Sequence, residues 1–222
     1  MIPLKDNNPT THFPIFTILI ILINCAVFIY TDILGLATKE FYYQFSVIPI
    51  DISSLGQATE RSALAALSTL ITSQFLHGGL FHIASNMLFL WIFGNNVEDR
   101  LGRIRFVIFY LLCGIIAGLA QVTGDPSSTT PMLGASGAIA GVMGAYLFMF
   151  PGTQVLTLIW IVIFIRLVWL PASFIIIYWI LIQVVLQVTS AGQQGGVAYL
   201  AHIGGFAGGI ALYFLFRMFG RR

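Results

Sequence analysis

Charged side chains are scarce in this sequence. Lys, Arg, Asp and Glu make up only 8% of the 222 residues, whereas 58% are hydrophobic. A soluble domain carries about 25% charged residues, because a folded chain of this size exposes a large surface that water must solvate. The composition therefore excludes a disordered chain and nearly every soluble fold, and it predicts an all-α, polytopic membrane protein. A transmembrane β-barrel does not fit, because its strands alternate apolar and polar residues whereas this chain has long apolar runs.

Cysteine, clustered basic charge and metal-ligand motifs are also lacking. Cys25 and Cys113 lie inside apolar runs, which favours two small buried hydrophobic side chains over a disulfide or a redox pair. The net charge of +2, with no basic run interleaved with aromatics, argues against a nucleic-acid partner. A zinc protease needs a pair such as HExxH, but no glutamate separates His77 from His82. We therefore expect neither a metal nor another cofactor.

The few charges divide the chain into apolar segments that are long enough to cross a membrane, which takes about 20 residues. We predict a single domain over residues 1–222 with six spans, at about 14–30, 80–97, 106–121, 137–150, 171–188 and 197–216. A cleavable signal is the alternative for the first span, but the apolar run continues past Cys25, which favours an uncleaved helix. Residues 31–61 form a long loop, and loops of this length are more often functional than idle.

Residues 155–170 are apolar enough for a seventh span, but the basic residues favour an interfacial segment. With six spans, Lys39 and Arg61 lie on one side of the membrane. The other side collects Lys5, Arg100, Arg103, Arg105, Arg166, Arg217, Arg221 and Arg222. This asymmetry places both termini in the cytoplasm, with the cell (inner) membrane as the expected location. A seventh span would move the C-terminal arginines outside and bury Arg166 in the bilayer, which is costly.

A few polar side chains lie inside the predicted spans, where each one indicates a function by default. His82 and Asn86 share a face of the second span, because they are four residues apart. Ser136 begins the fourth span, and His202 lies about five residues into the sixth. In the six-span topology all three helices start on the outer side, so these four residues lie at comparable depths.

A serine beside a neutral imidazole is a minimal activated nucleophile, so we predict a catalytic dyad of Ser136 and His202. The backbone N–H of Ser136, at a helix N-terminus, and the side chains of His82 and Asn86 are candidate donors for the tetrahedral oxyanion. Asp125 in an outer loop stays open as a third member, but a dyad is simpler. Because His202 must be neutral to accept a proton, we expect activity to fall below about pH 6 to 7.

Two of the spans carry small residues at helical spacing, which lets transmembrane backbones approach closely. These are Gly137, Gly141 and Gly144 in the fourth span, and Ala201, Gly205 and Gly209 in the sixth. Packing through these faces would bring Ser136 within hydrogen-bond distance of His202. Glycine packing without chemistry is the alternative, and a single such motif would favour it. Two small-residue faces, each with a candidate catalytic group at matched depth, favour the catalytic interpretation.

The fourth span is short, and its length sets the depth of the serine. Its fourteen to fifteen residues extend roughly 22 Å, whereas the hydrocarbon core is about 30 Å thick. Ser136 is therefore expected several Å below the outer membrane surface, in a cavity that admits water from outside. A membrane-anchored peptide reaches such a site more readily than a soluble substrate does.

Over residues 75–209 the chain resembles the rhomboid family of intramembrane serine proteases. The motifs that carry the resemblance are HGGLFHIASN (77–86), GNNVEDRLG (94–102), GASG (134–137) and AHIGGFAGG (201–209). The resemblance implies a six-helix bundle in which a short central helix carries the serine. It also implies a serine endopeptidase that cleaves single-span transmembrane protein substrates near their outer membrane end.

The family motifs also imply roles for individual residues. In GxSG, formed here with Gly134 and Gly137, Ser136 would be the nucleophile, and in AHxxG, which ends at Gly205, His202 would be the general base. His82 and Asn86 match the HxxxN oxyanion-hole pair, which acts with Ser136. Glu98 and Arg100 match an ExR element of structural weight, and His77 matches a structural loop histidine.

Two departures from the family pattern affect supporting residues. Many rhomboids stack an aromatic residue, four after the serine, on the catalytic histidine, but that position here is Ala140. Many also carry Trp-Arg in the first loop, where this chain has Ser68-Thr69. By family analogy, residues 174–186 and the outer loops are candidates for a substrate gate.

Two other functions compete with the protease. An inactive rhomboid-like protein that binds membrane clients would lack the serine or the histidine, and this chain has both. A transporter would often show internal repeats, and the sequence has none that we recognise.

Overall fold

The computed structural model describes residues 1–161, 163–189 and 197–219. Helices dominate this part of the chain, and three strands accompany them. The helices are α1 (Ile15–Phe28), α2 (Lys39–Phe45), α3 (Pro49–Ser53), α4 (Ala63–Thr72), α5 (Leu80–Phe89), α6 (Asn95–Leu101), α7 (Arg103–Gly124), α8 (Ser136–Met149), α9 (Ala172–Thr189) and α10 (Tyr199–Phe219). The strands are β1 (Ile2–Asp6), β2 (Gln154–Ile161) and β3 (Phe164–Pro171).

Four helical stretches in the described residues are long and apolar enough to cross a membrane. They are Ile15–Ile33, Arg103–Gly124, Ala172–Thr189 and Tyr199–Met218. A fifth candidate is Ala63–Phe75 together with Leu80–Leu101, which meet at an angle of 81°. The predicted fourth span is α8, an apolar helix of only 14 residues. The protein is thus a mostly helical membrane protein, and the count of six spans stays a prediction.

Helix α8 lies at the centre of the bundle. Eleven of its fourteen residues are buried, because its own side chains are small or apolar on every face of the helix. Its glycines allow close approach to two neighbours: a Cβ on Gly141 would lie 2.4 Å from Cys113 Sγ of α7 and 3.0 Å from the carbonyl oxygen of Gly205 in α10. The backbones of α8 and α10 therefore pack nearly in contact, as small residues permit in a membrane.

Within residues 155–170, the described residues form the antiparallel pair of strands β2 and β3 and not a helix. Val155 pairs with Leu170 and Ile159 with Arg166, and β1 adds a third antiparallel strand in which Ile2 pairs with Leu158. The run is rich in β-branched and aromatic residues, which suit a pleated surface. A seventh helical span is therefore absent here, and the expectation of an all-α fold is corrected to a mostly helical one.

The long loop 31–61 contains α2 and α3 and is fastened to the rest of the protein. Arg61 Nη1 lies 2.6 Å from the carboxylate of Asp51, which is 1% exposed, and Nη2 donates to the carbonyl oxygen of Gln44 at 2.6 Å. Val47 exchanges backbone hydrogen bonds with Met132, in the segment that leads into α8. These contacts hold the loop beside the start of the central helix.

At the opposite end of the bundle, Glu98 binds the start of α1. Its carboxylate accepts from the backbone N–H groups of Phe16 (3.0 Å) and Thr17 (2.7 Å), and from the Thr17 hydroxyl (2.8 Å). Glu98 is buried, whereas Arg100 is exposed. Donors at a helix start have no acceptor within their own helix, so Glu98 supplies the missing acceptor from a distant segment.

Two details of the sequence interpretation fall outside the described residues. These are residues 190–196, which lie between the last two predicted spans, and Arg221 and Arg222 of the basic cluster.

Candidate active site

The contact between α8 and α10 brings Ser136 and His202 together. Ser136 is the first residue of α8, and His202 lies in the first turn of α10. Ser136 Oγ lies 2.8 Å from His202 Nε2, and His202 is 8% exposed. The start of α10 is also tied to α7, because the backbone N–H of Ala201 donates to Gln121 Oε1 at 3.2 Å. A hydroxyl and an imidazole in this arrangement can transfer a proton between them.

The second nitrogen of His202 is bound by a residue that the sequence interpretation missed. Gln183 Oε1 of α9 lies 2.8 Å from His202 Nδ1, and Trp179, one turn earlier, places its ring centroid 5.5 Å from that of His202. Gln183 is a buried amide inside an apolar run, which is the signal that could have found it. Trp179 takes the place of the aromatic residue that is missing at Ala140.

Asp125 is not a partner of this histidine. Both ring nitrogens of His202 are occupied by Ser136 and Gln183, and the Asp125 carboxylate accepts from the Ser127 hydroxyl at 3.1 Å.

Helix α5 places His82 and Asn86 on the other wall of the same cavity. Asn86 Nδ2 donates to His77 Nε2 at 2.9 Å, and His77 is fully buried. The His77 ring packs edge-on against His82, with 5.0 Å between centroids and 69° between planes. His77 therefore contacts both His82 and Asn86 and orients them, although neither of these two makes a direct hydrogen bond to Ser136 or His202 among the described contacts.

Gly134 separates the His82 ring from Ser136. Its φ is +128°, and a Cβ there would lie 2.8 Å from His82 Nε2 and 3.7 Å from Ser136 Oγ. Any side chain would be strained and would fill the space that lies between the two groups. Glycine at this position leaves a space in which an atom bonded to Ser136 Oγ can face His82.

These groups line one cavity of about 1270 Å³. Gln183, Trp179, His82, Asn86 and the Ser136–His202 pair all contribute to its wall. Asp125, Ser127 and Thr130, which are exposed loop residues, also line it, so the cavity reaches the surface at the end where α8 begins. A chamber that is lined by both polar and apolar groups and is connected to solvent can admit water to Ser136.

Comparison with known proteins gives one family. The sequence pattern of the Rhomboid domain matches residues 65–219. The rhomboid protease GluP of Bacillus subtilis (strain 168) is 43% identical over 79 residues, which are 36% of this chain and 15% of the relative. Rhomboid protein 1, mitochondrial, of Saccharomyces cerevisiae is 28% identical over 162 residues, 68% of this chain and 42% of the relative.

A human relative, the presenilin-associated rhomboid-like protein, mitochondrial, is 39% identical over 80 residues, which are 35% of this chain and 21% of the relative. The chain thus covers less than half the length of each of these three relatives. The domain match is broader, since it includes the central helix α8, strands β2 and β3, and helices α9 and α10. Because this match extends over most of its length, the chain belongs to the rhomboid family.

Proposed function

We propose that the protein is an intramembrane serine endopeptidase in which Ser136 is the nucleophile and His202 the general base. The observation that supports this most is the 2.8 Å contact between Ser136 Oγ and His202 Nε2 in a solvent-connected cavity between apolar helices. Relatives named rhomboid proteases support intramembrane proteolysis in general.

In the proposed mechanism, His202 Nε2 takes the hydroxyl proton as Ser136 Oγ attacks the scissile carbonyl carbon. The carbonyl oxygen becomes an oxyanion, which the Ser136 backbone N–H and the side chains of His82 and Asn86 stabilise. Protonated His202 then gives its proton to the leaving amine, and the acyl group stays on Ser136. A water molecule from the cavity, deprotonated by His202, attacks this ester. The bond to Ser136 Oγ then breaks, His202 returns the proton to Oγ, and the acid is released.

The proposed substrates are single-span transmembrane proteins, which reach the site from the bilayer and are cleaved near their outer end. The short α8 supports this location, because Ser136 at its first residue lies below the membrane surface if Met149 reaches the opposite interface. The basic residues support cytoplasmic termini and a site that opens outward. The cell (inner) membrane is proposed as the location.

The experiment is labelling of the purified protein with a fluorophosphonate, together with cleavage of a reconstituted single-span substrate. We expect wild type to label and cleave, and Ser136→Ala and His202→Ala to lose at least about 10³-fold in cleavage rate. Ser85→Ala is the matched control: Ser85 lines the same cavity, but its hydroxyl donates to the carbonyl oxygen of His82 (3.0 Å).

Three results would contradict the proposal. Wild type that neither labels nor cleaves would count against a protease. Labelling that survives Ser136→Ala would move the nucleophile elsewhere. Loss of labelling in Ser85→Ala, with Ser136→Ala unaffected, would reassign the serine.

A further inference from the structure

We propose that Gln183 is a positioning residue that holds His202 in the tautomer with its proton on Nδ1, with Trp179 fixing the plane of the ring. This inference rests on the proposed function, because the tautomer matters only if His202 accepts a proton from Ser136. It adds a third, neutral member to the predicted dyad and assigns it to α9.

The hydrogen-bond chemistry selects the tautomer. Neutral imidazole has one N–H and one lone pair, and an amide oxygen can only accept. Gln183 Oε1, 2.8 Å from Nδ1, therefore requires the proton on Nδ1. The lone pair is then on Nε2, where the Ser136 hydroxyl donates. The opposite tautomer would present an N–H to Ser136 and could not take its proton.

The orientation of the amide follows from its other contact. Gln183 Nε2 lies 3.5 Å from the backbone carbonyl oxygen of Trp179, one turn earlier in α9. A carbonyl oxygen accepts but does not donate, so the NH₂ group belongs on that side and the oxygen faces His202. Turning the amide over would place two oxygens together and would favour the tautomer that cannot act as a base.

Burial explains why one amide has this influence and why an amide is suitable. Gln183 is 7% exposed and His202 is 8% exposed, so water does not readily replace the amide oxygen. A carboxylate would orient the ring as well, but an ionised group inside a membrane helix is costly. Glutamine supplies the acceptor without a buried charge, and it orients the imidazole without compensating the positive charge that forms during the reaction.

Both contacts come from one face of α9. Trp179 and Gln183 are four residues apart, so they project side by side toward His202. Position 140, on the helix of the nucleophile, is a buried alanine and supplies no ring. The orientation of the general base therefore depends on where α9 sits, and not on α8 and α10 alone.

The test compares Gln183→Met, which keeps the length and removes the acceptor, with Gln183→Glu, which keeps an acceptor oxygen. Gln187→Met is the matched control, because the same substitution lies one turn further along α9. We expect Gln183→Met to lower kcat about 10- to 100-fold with KM nearly unchanged. Gln183→Glu is expected to recover most of that loss, and Gln187→Met to behave as wild type.

A second measurement does not depend on proteolysis. The chain has four histidines, so ¹⁵N-histidine NMR in nanodiscs, with His202→Ala to assign the signal, reports the protonated nitrogen of His202. We expect a proton on Nδ1 in wild type and in Gln187→Met, and a mixture of tautomers in Gln183→Met.

The outcomes separate this inference from the proposed function. A proton on Nε2 of His202 in wild type overturns the inference, whether or not the variants fold. Unchanged kcat and an unchanged tautomer in Gln183→Met overturn it while leaving a protease intact. If wild type shows no cleavage but the tautomer shifts in Gln183→Met, the positioning of the ring is supported and the protease is not.

Discussion

Replacing Gly205 with alanine tests whether the α8–α10 contact sets the distance between Ser136 and His202. A Cβ at Gly205 would lie 2.2 Å from the carbonyl oxygen of Gly137, while ordinary contacts begin at 3.4 Å. The helices must separate locally by about 1.2 Å, the difference between these values, because the obstructing atom is backbone and cannot rotate away.

This separation acts directly on the contact between Ser136 and His202, the proposed catalytic pair. Ser136 precedes Gly137 by one residue, and His202 lies within one turn of Gly205. Added to the 2.8 Å contact, the movement gives about 4 Å, beyond the roughly 3.2 Å range of a hydrogen bond. A misplacement of about 1 Å can reduce a rate about 100-fold, and overpacking costs about 1–3 kcal/mol of stability.

We therefore expect both the rate of fluorophosphonate labelling and the rate of substrate cleavage to be about 100-fold lower in Gly205→Ala than in wild type. We also expect a lower unfolding midpoint in detergent. Gly152→Ala is the matched control, since a Cβ at Gly152 meets nothing within 4 Å. Wild-type rates in Gly205→Ala would refute the idea that this glycine contact holds the two side chains together. Equal losses in both variants would show that the effect is not specific to the contact.

Three further predictions concern stability and are measured by thermal or chemical unfolding in detergent. Arg61→Ala leaves the buried Asp51 carboxylate without its ion pair and is expected to cost about 3–5 kcal/mol, and a loss below 1 kcal/mol would contradict this. Glu98→Ala removes the acceptor for three donors at the start of α1 and should cost about 2–3 kcal/mol, with a smaller loss in Glu98→Gln; equal losses would argue against hydrogen bonding as the cause. Burial raises the pKa of Asp6 above its ordinary value of 3.8, so this carboxyl contributes stability below about pH 4 that is lost as pH rises through its folded value. The free energy of unfolding of Asp6→Asn should therefore rise relative to that of wild type as the pH increases from 4 to 7. A difference that falls over this range would refute the raised pKa of Asp6.

The positions of the main helices could be predicted from the sequence because the signals are local. Each long helix is an apolar run bounded by charges, glycine or proline, and hydropathy depends only on neighbours in the chain. The meeting of Ser136 and His202 was also predictable, because the small residues that let α8 and α10 approach repeat at helical spacing on both helices. The positions of Ser136 and His202 relative to these small residues then place the two side chains opposite each other.

Other features depend on partners far away in the chain. Residues 155–170 are expected from the sequence to be interfacial. Their apolar periodicity does not distinguish strand from helix, and their β-branched and aromatic residues favour strands without indicating which segments pair. Strand β2 pairs with β1, which lies about 150 residues earlier, as in the pairing of Leu158 with Ile2. No local pattern specifies such a partner.

The site around His202 also combines features that local sequence signals predict with features that depend on distant segments. The sequence by itself determined that this chain enters a membrane, where its helices lie, and which serine and histidine stand at matched positions. The tertiary structure decided that Gln183 binds the other nitrogen of the imidazole, that Trp179 replaces the aromatic residue absent at Ala140, and that His77 binds Asn86. The physical reason is that hydropathy and helical periodicity act between neighbouring residues, whereas these hydrogen bonds and ring contacts form only after separate segments have packed together.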